Sequence, residues 1–82
     1  VLIAYDETKR LRNISKHGLD MAELDFAFFE NSLVIPAKAG RSMAIGAFKG
    51  EVVIATVFKP LGSEALSVIS MRLASRKERS LL

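Results

Sequence analysis

The sequence predicts an α+β domain, and three features carry that assignment. Apolar residues recur at helical spacing as far as about residue 30, and the period becomes extended from Leu33 onward. Helix-start signals stand at Asp6, Asp20 and Ser75, outside the extended stretch. Between them lie strand-like runs separated by Gly and Pro, so helices and strands are segregated rather than alternating, which is the pattern of α+β and not of a parallel α/β sheet. At 82 residues the chain has room for one core, so residues 1–82 are read as a single domain.

Val1 to Tyr5 is a short apolar run suited to an edge strand, and Asp6 offers an oxygen to cap the helix that follows. That helix is expected from Glu7 to His17, stopped by Gly18. Leu11 and Ile14 lie on one side of it, the side expected to pack. Lys9, Asn13 and Lys16 lie within roughly 60° of each other on the other, the side expected to be free. Asp20 with Glu23 three residues on reads as a capping box, with Leu19 stapling against Leu24, and predicts a second helix over Met21 to Glu30. Its apolar residues cover more than one stripe, which fits deep burial or a face kept for a partner.

Leu33 to Ile35 is a short strand closed by Pro36. Ser42 to Phe48 and Glu51 to Phe58 flank Lys49-Gly50 as a hairpin, and Val52 to Phe58 is apolar and β-branched enough to be central and covered on both faces. Lys59 to Glu64, punctuated by Pro60 and Gly62, reads as a loop. Ala65 to Ser70 is the last strand, and Ser75 with Glu78 forms a capping box opening a terminal helix that ends at Leu82. The expected architecture is an antiparallel sheet of about four strands packed on two N-terminal helices, with a short C-terminal helix.

The net charge of +3 is unevenly distributed. Residues 1–18 carry +2 and residues 71–82 carry +3, while the middle is net −2 and includes the acidic residues Asp20, Glu23, Asp25 and Glu30. Basic ends that converge in space make a polyanion site, because phosphate contacts dominate nucleic-acid affinity. The alternative is a set of solvated helix faces. The absence of cysteine excludes disulfides and thiolate metal sites and fits a reducing compartment. No apolar run approaches the ~20 residues of a membrane span, and the N-terminus lacks the pattern of a signal peptide. These features together predict a cytoplasmic protein without membrane association.

Several segments in order resemble the BrnT family of ribonuclease toxins. Tyr5-Asp6-Glu7-Thr8-Lys9 followed by Asn13-Ile14-Ser15-Lys16-His17-Gly18 is similar to the family's opening pattern. Arg41 ahead of Ile45-Gly46 matches its Arg and Ile-Gly strand, and Val68-Ile69-Ser70-Met71-Arg72-Leu73-Ala74-Ser75-Arg76-Lys77-Glu78-Arg79 resembles its closing signature. The chain departs from that pattern in having Tyr5 where the family usually has Trp, Ser67 where it usually has a basic residue, and Phe58-Lys59-Pro60-Leu61 in place of Thr-x-Arg. The resemblance implies a RelE-like fold, RNA cleavage that inhibits translation, a cognate BrnA-like antitoxin that neutralises the toxin, and contact with DNA only through the antitoxin complex.

RNA cleavage without metal needs a group to take the 2′-hydroxyl proton, an acid for the leaving 5′-oxygen, and cations for the charge building on phosphorus-bound oxygens. With one histidine and no metal-ligand spacing among its carboxylates, the chain is expected to use neither metal nor other cofactor. His17 is the acid/base candidate, since imidazole alone has an unperturbed pKa near neutrality; a histidine in a last helical turn also simply complements the helix dipole. Arg41, Arg72 and Arg76 are the phosphate and transition-state candidates, because guanidinium is always charged and grips phosphate in a bidentate manner. Lys9, Lys16, Lys59 and Arg79 are candidate backbone contacts, and Tyr5 a candidate for stacking a base or supplying a phenolic proton. The rival expectation is a non-catalytic module on the same fold that keeps antitoxin and operator association, which the uncharged Ser67 favours.

Overall fold

The computed structural model describes residues 2–82; Val1, which the sequence assigns to the first strand, lies outside the described residues. Strand β1 (Leu2–Tyr5) leads into helix α1 (Glu7–His17), which Asp6 caps by accepting from the Lys9 N–H and which Gly18 ends at φ 69°. A 3₁₀ turn (Met21–Glu23) and helix α2 (Phe26–Glu30) follow. Then come strand β2 (Leu33–Pro36), a second 3₁₀ turn (Lys38–Gly40), and strands β3 (Ser42–Phe48), β4 (Val52–Leu61) and β5 (Ala65–Leu73). Helix α3 (Arg76–Arg79) closes the order.

The five strands form one sheet in the order β1-β5-β4-β3-β2. This corrects the expected four-stranded antiparallel sheet in two respects. There is a fifth strand, and β1 pairs with β5 in parallel, with Leu2 beside Ala65 and Tyr5 beside Val68. Because parallel strands need a long crossover, everything from α1 to β4 is the connection between them. The remaining pairs are antiparallel. At the β3–β4 turn, Lys49 and Gly50 both take the left-handed region, at φ 55° and 67°, as a type I′ turn requires.

Strand β4 runs past its expected end at Phe58 and carries Pro60 within it. A proline survives there because β3 begins at Ser42, opposite Phe58, so that beyond this pair one edge of β4 has no partner and needs no N–H. Strand β5 likewise continues to Leu73, and α3 is a single turn that stops at Arg79 instead of Leu82.

The expected second helix is also corrected. Asp20 caps only a 3₁₀ turn through the Ala22 N–H, Glu23 pairs with Lys49 instead of closing a capping box, and Asp25 then caps α2 through the Phe28 N–H at 2.9 Å. Two competing caps five residues apart split one apolar run into two short pieces. Met21, Leu24, Phe28 and Phe29 from this segment pack on Ala44, Phe48, Ile54, Phe58, Val68 and Met71 of the sheet. Phe29 meets Phe28 and Phe58 edge to face with ring centroids 5.2 Å apart, the arrangement that aromatic quadrupoles favour. Gly46 lets this layer close, since a Cβ there would stand 2.5 Å from Ser32 Oγ. The opposite face of the sheet carries a smaller cluster, Ile45, Ala55 and Ala74 with Ile35, Met43 and Val53. That face is left open toward the β4–β5 end.

Candidate functional site

Helix α1 packs differently from the amphipathic reading. Leu11 is 57% exposed, and the one buried residue of the helix is Asn13, which the periodicity places on its free side. The reason lies at the sheet edge. Strand β1 ends beside Val68, so the rest of β5 has no strand neighbour on that side. Asn13 takes its place: its Oδ1 accepts from the Met71 N–H at 3.1 Å, and its Nδ2 donates to the Leu19 carbonyl at the same distance. A buried amide that satisfies an open ladder position holds the helix where an apolar stripe would otherwise be needed.

A β-bulge completes the arrangement. Val57 pairs with Ser70 and Phe58 with Val68, so Ile69 is an extra residue on β5. Bulges re-aim side chains, and here Val68 and Met71 both enter the helix-side core while Ile69 and Ser70 are left at the seam with α1. The seam is a cleft of about 210 Å³ lined by Lys9, Arg12, Asn13, Lys16, His17, Ile69 and Ser70.

Three of the residues singled out from the sequence, Lys9, Lys16 and His17, therefore meet in one cleft. Arg12 joins them, and no carboxylate is part of the lining. Arg12 was legible, since it lies within about 60° of Lys9 on the same helical face; Ser70 was not, because the bulge that presents it has no mark in the sequence. Arg10 faces another way and is neutralised by Glu7 at 2.5 Å and Asp20 at 2.7 and 3.0 Å. The Arg10 hydrogen bond, helped by the Ala22 N–H, holds the Asp20 carboxyl down at about 2, and the hydrogen bonds to Asp20 and Glu7 raise Arg10.

Strand register extends the positive region beyond the cleft. Ser70 stands opposite Val57, Arg72 opposite Ala55 and Lys59 opposite Ser67, all on the alternation that faces the open side of the sheet. Arg72 follows Ser70 by two residues, about 7 Å along the strand. Its Nη1 and Nη2 donate to Oε1 and Oε2 of Glu78 at 2.7 and 2.8 Å. That bidentate bond, together with the Ser75 N–H, holds the Glu78 carboxyl at about 2 and raises Arg72. Arg41 lies exposed one residue before the Ser42–Phe58 pair, at the Lys59 end of the sheet. Arg76 and Arg79 are on α3, where Arg79 donates to the Ala74 carbonyl at 3.3 Å. Tyr5 ends β1 beside Val68. Arg41, Lys59, Arg72, Arg76, Arg79 and Tyr5 all lie outside the cleft lining. Lys9, Arg12, Lys16 and His17 thus form a cleft group on α1, and Lys59 and Arg72 lie on the open face, with Ser70 between the two.

Among the described residues no group of three or more His, Cys, Asp or Glu side chains is placed to hold a metal ion. No helix among them is long and apolar enough to cross a membrane.

Residues 5–78 match the family model described as ribonuclease toxin, BrnT, of type II toxin-antitoxin system. No curated protein matches the chain. Among solved structures, the 1.1 Å crystal structure of the Brucella abortus ribonuclease toxin BrnT superposes with a TM-score of 0.86. The two are 58% identical over 93% of this chain and 100% of that one. A family match spanning the cleft and the open face, joined to a fold shared at that identity, settles kinship: this chain belongs to the BrnT family of ribonuclease toxins of type II toxin-antitoxin systems.

Proposed function

We propose that this chain is an endoribonuclease that cleaves RNA by metal-independent transesterification at the α1–β5 cleft and is neutralised by a cognate antitoxin. The observation that carries the reading is the convergence of His17, Lys9, Lys16 and Arg12 around Ser70, with Arg72 one step along the same strand. The RNA backbone enters over the open face and meets the α1 cations at the cleft. His17 takes the proton from the 2′-hydroxyl, and the 2′-oxygen forms a bond to phosphorus as the bond to the 5′-oxygen breaks. Arg12 and Arg72 face the non-bridging oxygens, where charge builds in the transition state. The leaving 5′-oxygen takes a proton from one of the cleft ammonium groups, Lys9 and Lys16. The products are a 2′,3′-cyclic phosphate and a 5′-hydroxyl. Arg41, Lys59, Arg76 and Arg79 steer and hold the flanking backbone, and Tyr5 stacks on a base at the sheet edge. The family membership supports an antitoxin partner, with DNA met only through the toxin–antitoxin complex.

The test is cleavage of a defined RNA in EDTA by purified protein, with the product ends identified. Cyclic phosphate ends are expected, and His17→Ala should slow the reaction by about 10²–10⁴-fold, the range of a positioned acid/base. Products with 5′-phosphates would reject the mechanism, and an undiminished rate for His17→Ala would reject that role. Intact RNA beside folded protein that still binds its antitoxin would identify a non-catalytic module.

A further inference from the structure

We propose that Glu78 is a positioning residue of the RNA site, holding the Arg72 guanidinium so that a single fork of two N–H groups is presented to phosphate. The proposal rests on the reading of Arg72 as a phosphate contact and adds to it the group that aims the arginine.

The hydrogens of Arg72 leave one edge of its guanidinium unengaged. A guanidinium has five N–H groups in one plane. The two on Nη1 meet Glu78 Oε1 at 2.7 Å and the Leu73 carbonyl at 3.3 Å, and one on Nη2 meets Glu78 Oε2 at 2.8 Å. What remains is the Nε–H and the outer Nη2 hydrogen. These two lie side by side on one edge of the plane and match two oxygens of a phosphate. An arginine free in solvent would offer this edge only in some of its rotamers; this one is fixed.

Glu78 is itself fixed. Its Oε1 also accepts from the Ser75 N–H at 2.8 Å, and its own N–H donates to Ser75 Oγ at 3.1 Å, so the carboxylate belongs to the capping box that starts α3. A cap needs only the local bonds. Here the same carboxylate reaches back to β5 and grips a second group, and its side chain is 17% exposed against 39% for Arg72. The hydrogen bonds from Arg72 and Ser75 keep it ionised down to about pH 2, so the grip persists at any pH where the protein meets RNA.

A carboxylate beside a phosphate site repels phosphate, so Glu78 does not serve affinity. Its signature is a split between binding and rate. Glu78→Gln keeps a side-chain oxygen for the cap and removes the charge and half of the grip. The full chain carrying it should bind an RNA with a 2′-deoxy sugar at the scissile position as tightly as the parent or more tightly. On the cleavable RNA its single-turnover rate should fall by about tenfold or more, as expected when a reacting contact loses its orientation. Arg72→Lys, which keeps the charge and has no fork, should show the same split and makes the test independent of how α3 tolerates the first variant. A rate for folded Glu78→Gln equal to or above the parent's overturns the proposal, as does a loss of binding that accounts for the loss of rate. Arg72→Ala distinguishes the levels. If it cleaves at the parent rate, the phosphate role of Arg72 and this proposal fall together; if it is slow while Glu78→Gln is not, only the positioning role falls.

Discussion

Asn13 on α1 accepts a hydrogen bond from the main-chain N–H of Met71 on β5, fifty-eight residues away in sequence, and so occupies the ladder position that β1 leaves vacant. This bond ties α1 to β5 at the floor of the cleft, whose lining includes Asn13. Asn13→Ala leaves the Met71 N–H and the Leu19 carbonyl without their partner, at a cost of about 1–3 kcal/mol for a buried unsatisfied group. We expect a clearly lowered melting temperature and hydrogen exchange at Met71 that is faster than at Ile54. Unchanged stability and protection would mean that packing alone holds the helix.

Two ion pairs should make the protein sensitive to acid. Arg10 depresses Asp20 from an ordinary 3.8 to about 2, and Arg72 depresses Glu78 from 4.5 to about 2. A carboxylate whose pKa is lowered on folding contributes its stability fully above its unfolded pKa and loses it as pH falls through the folded value. The loss is therefore expected between about pH 4.5 and 2, while near neutrality the contribution of these groups is complete and does not vary with pH. Urea unfolding across that range should show a decline that is shallower in Glu78→Gln. A parallel decline in the variant would remove Glu78 as a contributor.

Helix α1, the hairpin at Lys49-Gly50, the central strand and the Ser75–Glu78 capping box were legible in the sequence because each depends on residues close together in the chain. What was missed depends on partners far apart. The parallel pairing of β1 with β5 has no local signature, and neither has the bulge at Ile69 that turns Ser70 to the cleft. Pro60 misled because its tolerance depends on where β3 starts. Asn13 misled because an amide on a helix face is polar by type, and only the unpaired edge of β5 makes it a core residue. His17, Lys9 and Lys16 came together as a cleft because they share a face of one helix, whereas relating them to Arg72 required the strand register.

Thr56 sits in the centre of β4 with no exposure, and its Oγ1 has no hydrogen-bond partner among the described residues. It faces the helix-side core on the same alternation as Ile54 and Phe58. Thr56→Val replaces an unsatisfied hydroxyl with a methyl of nearly the same shape, which should stabilise the fold by about 1 kcal/mol. Denaturant midpoints compared at equal m-value measure it. A destabilised Thr56→Val would show that the hydroxyl has a partner in solution, most simply a buried water.

Arg12 gives the most direct test of where RNA lies. It lines the cleft beside Lys9 and Lys16, it is exposed, and among the described residues it makes no ion pair, so a phosphate there displaces no carboxylate. Arg10, two residues earlier, is committed to Glu7 and Asp20 and serves as an internal control. Each cation that contacts a phosphate of single-stranded RNA adds about 0.7 to the slope of log K against log salt. Arg12→Gln should therefore weaken RNA binding and reduce that slope by about 0.7, while Arg10→Gln, though it weakens the fold, should leave the slope nearly unchanged. Equal slopes for Arg12→Gln and the parent would move the RNA path off α1 and onto the open face alone.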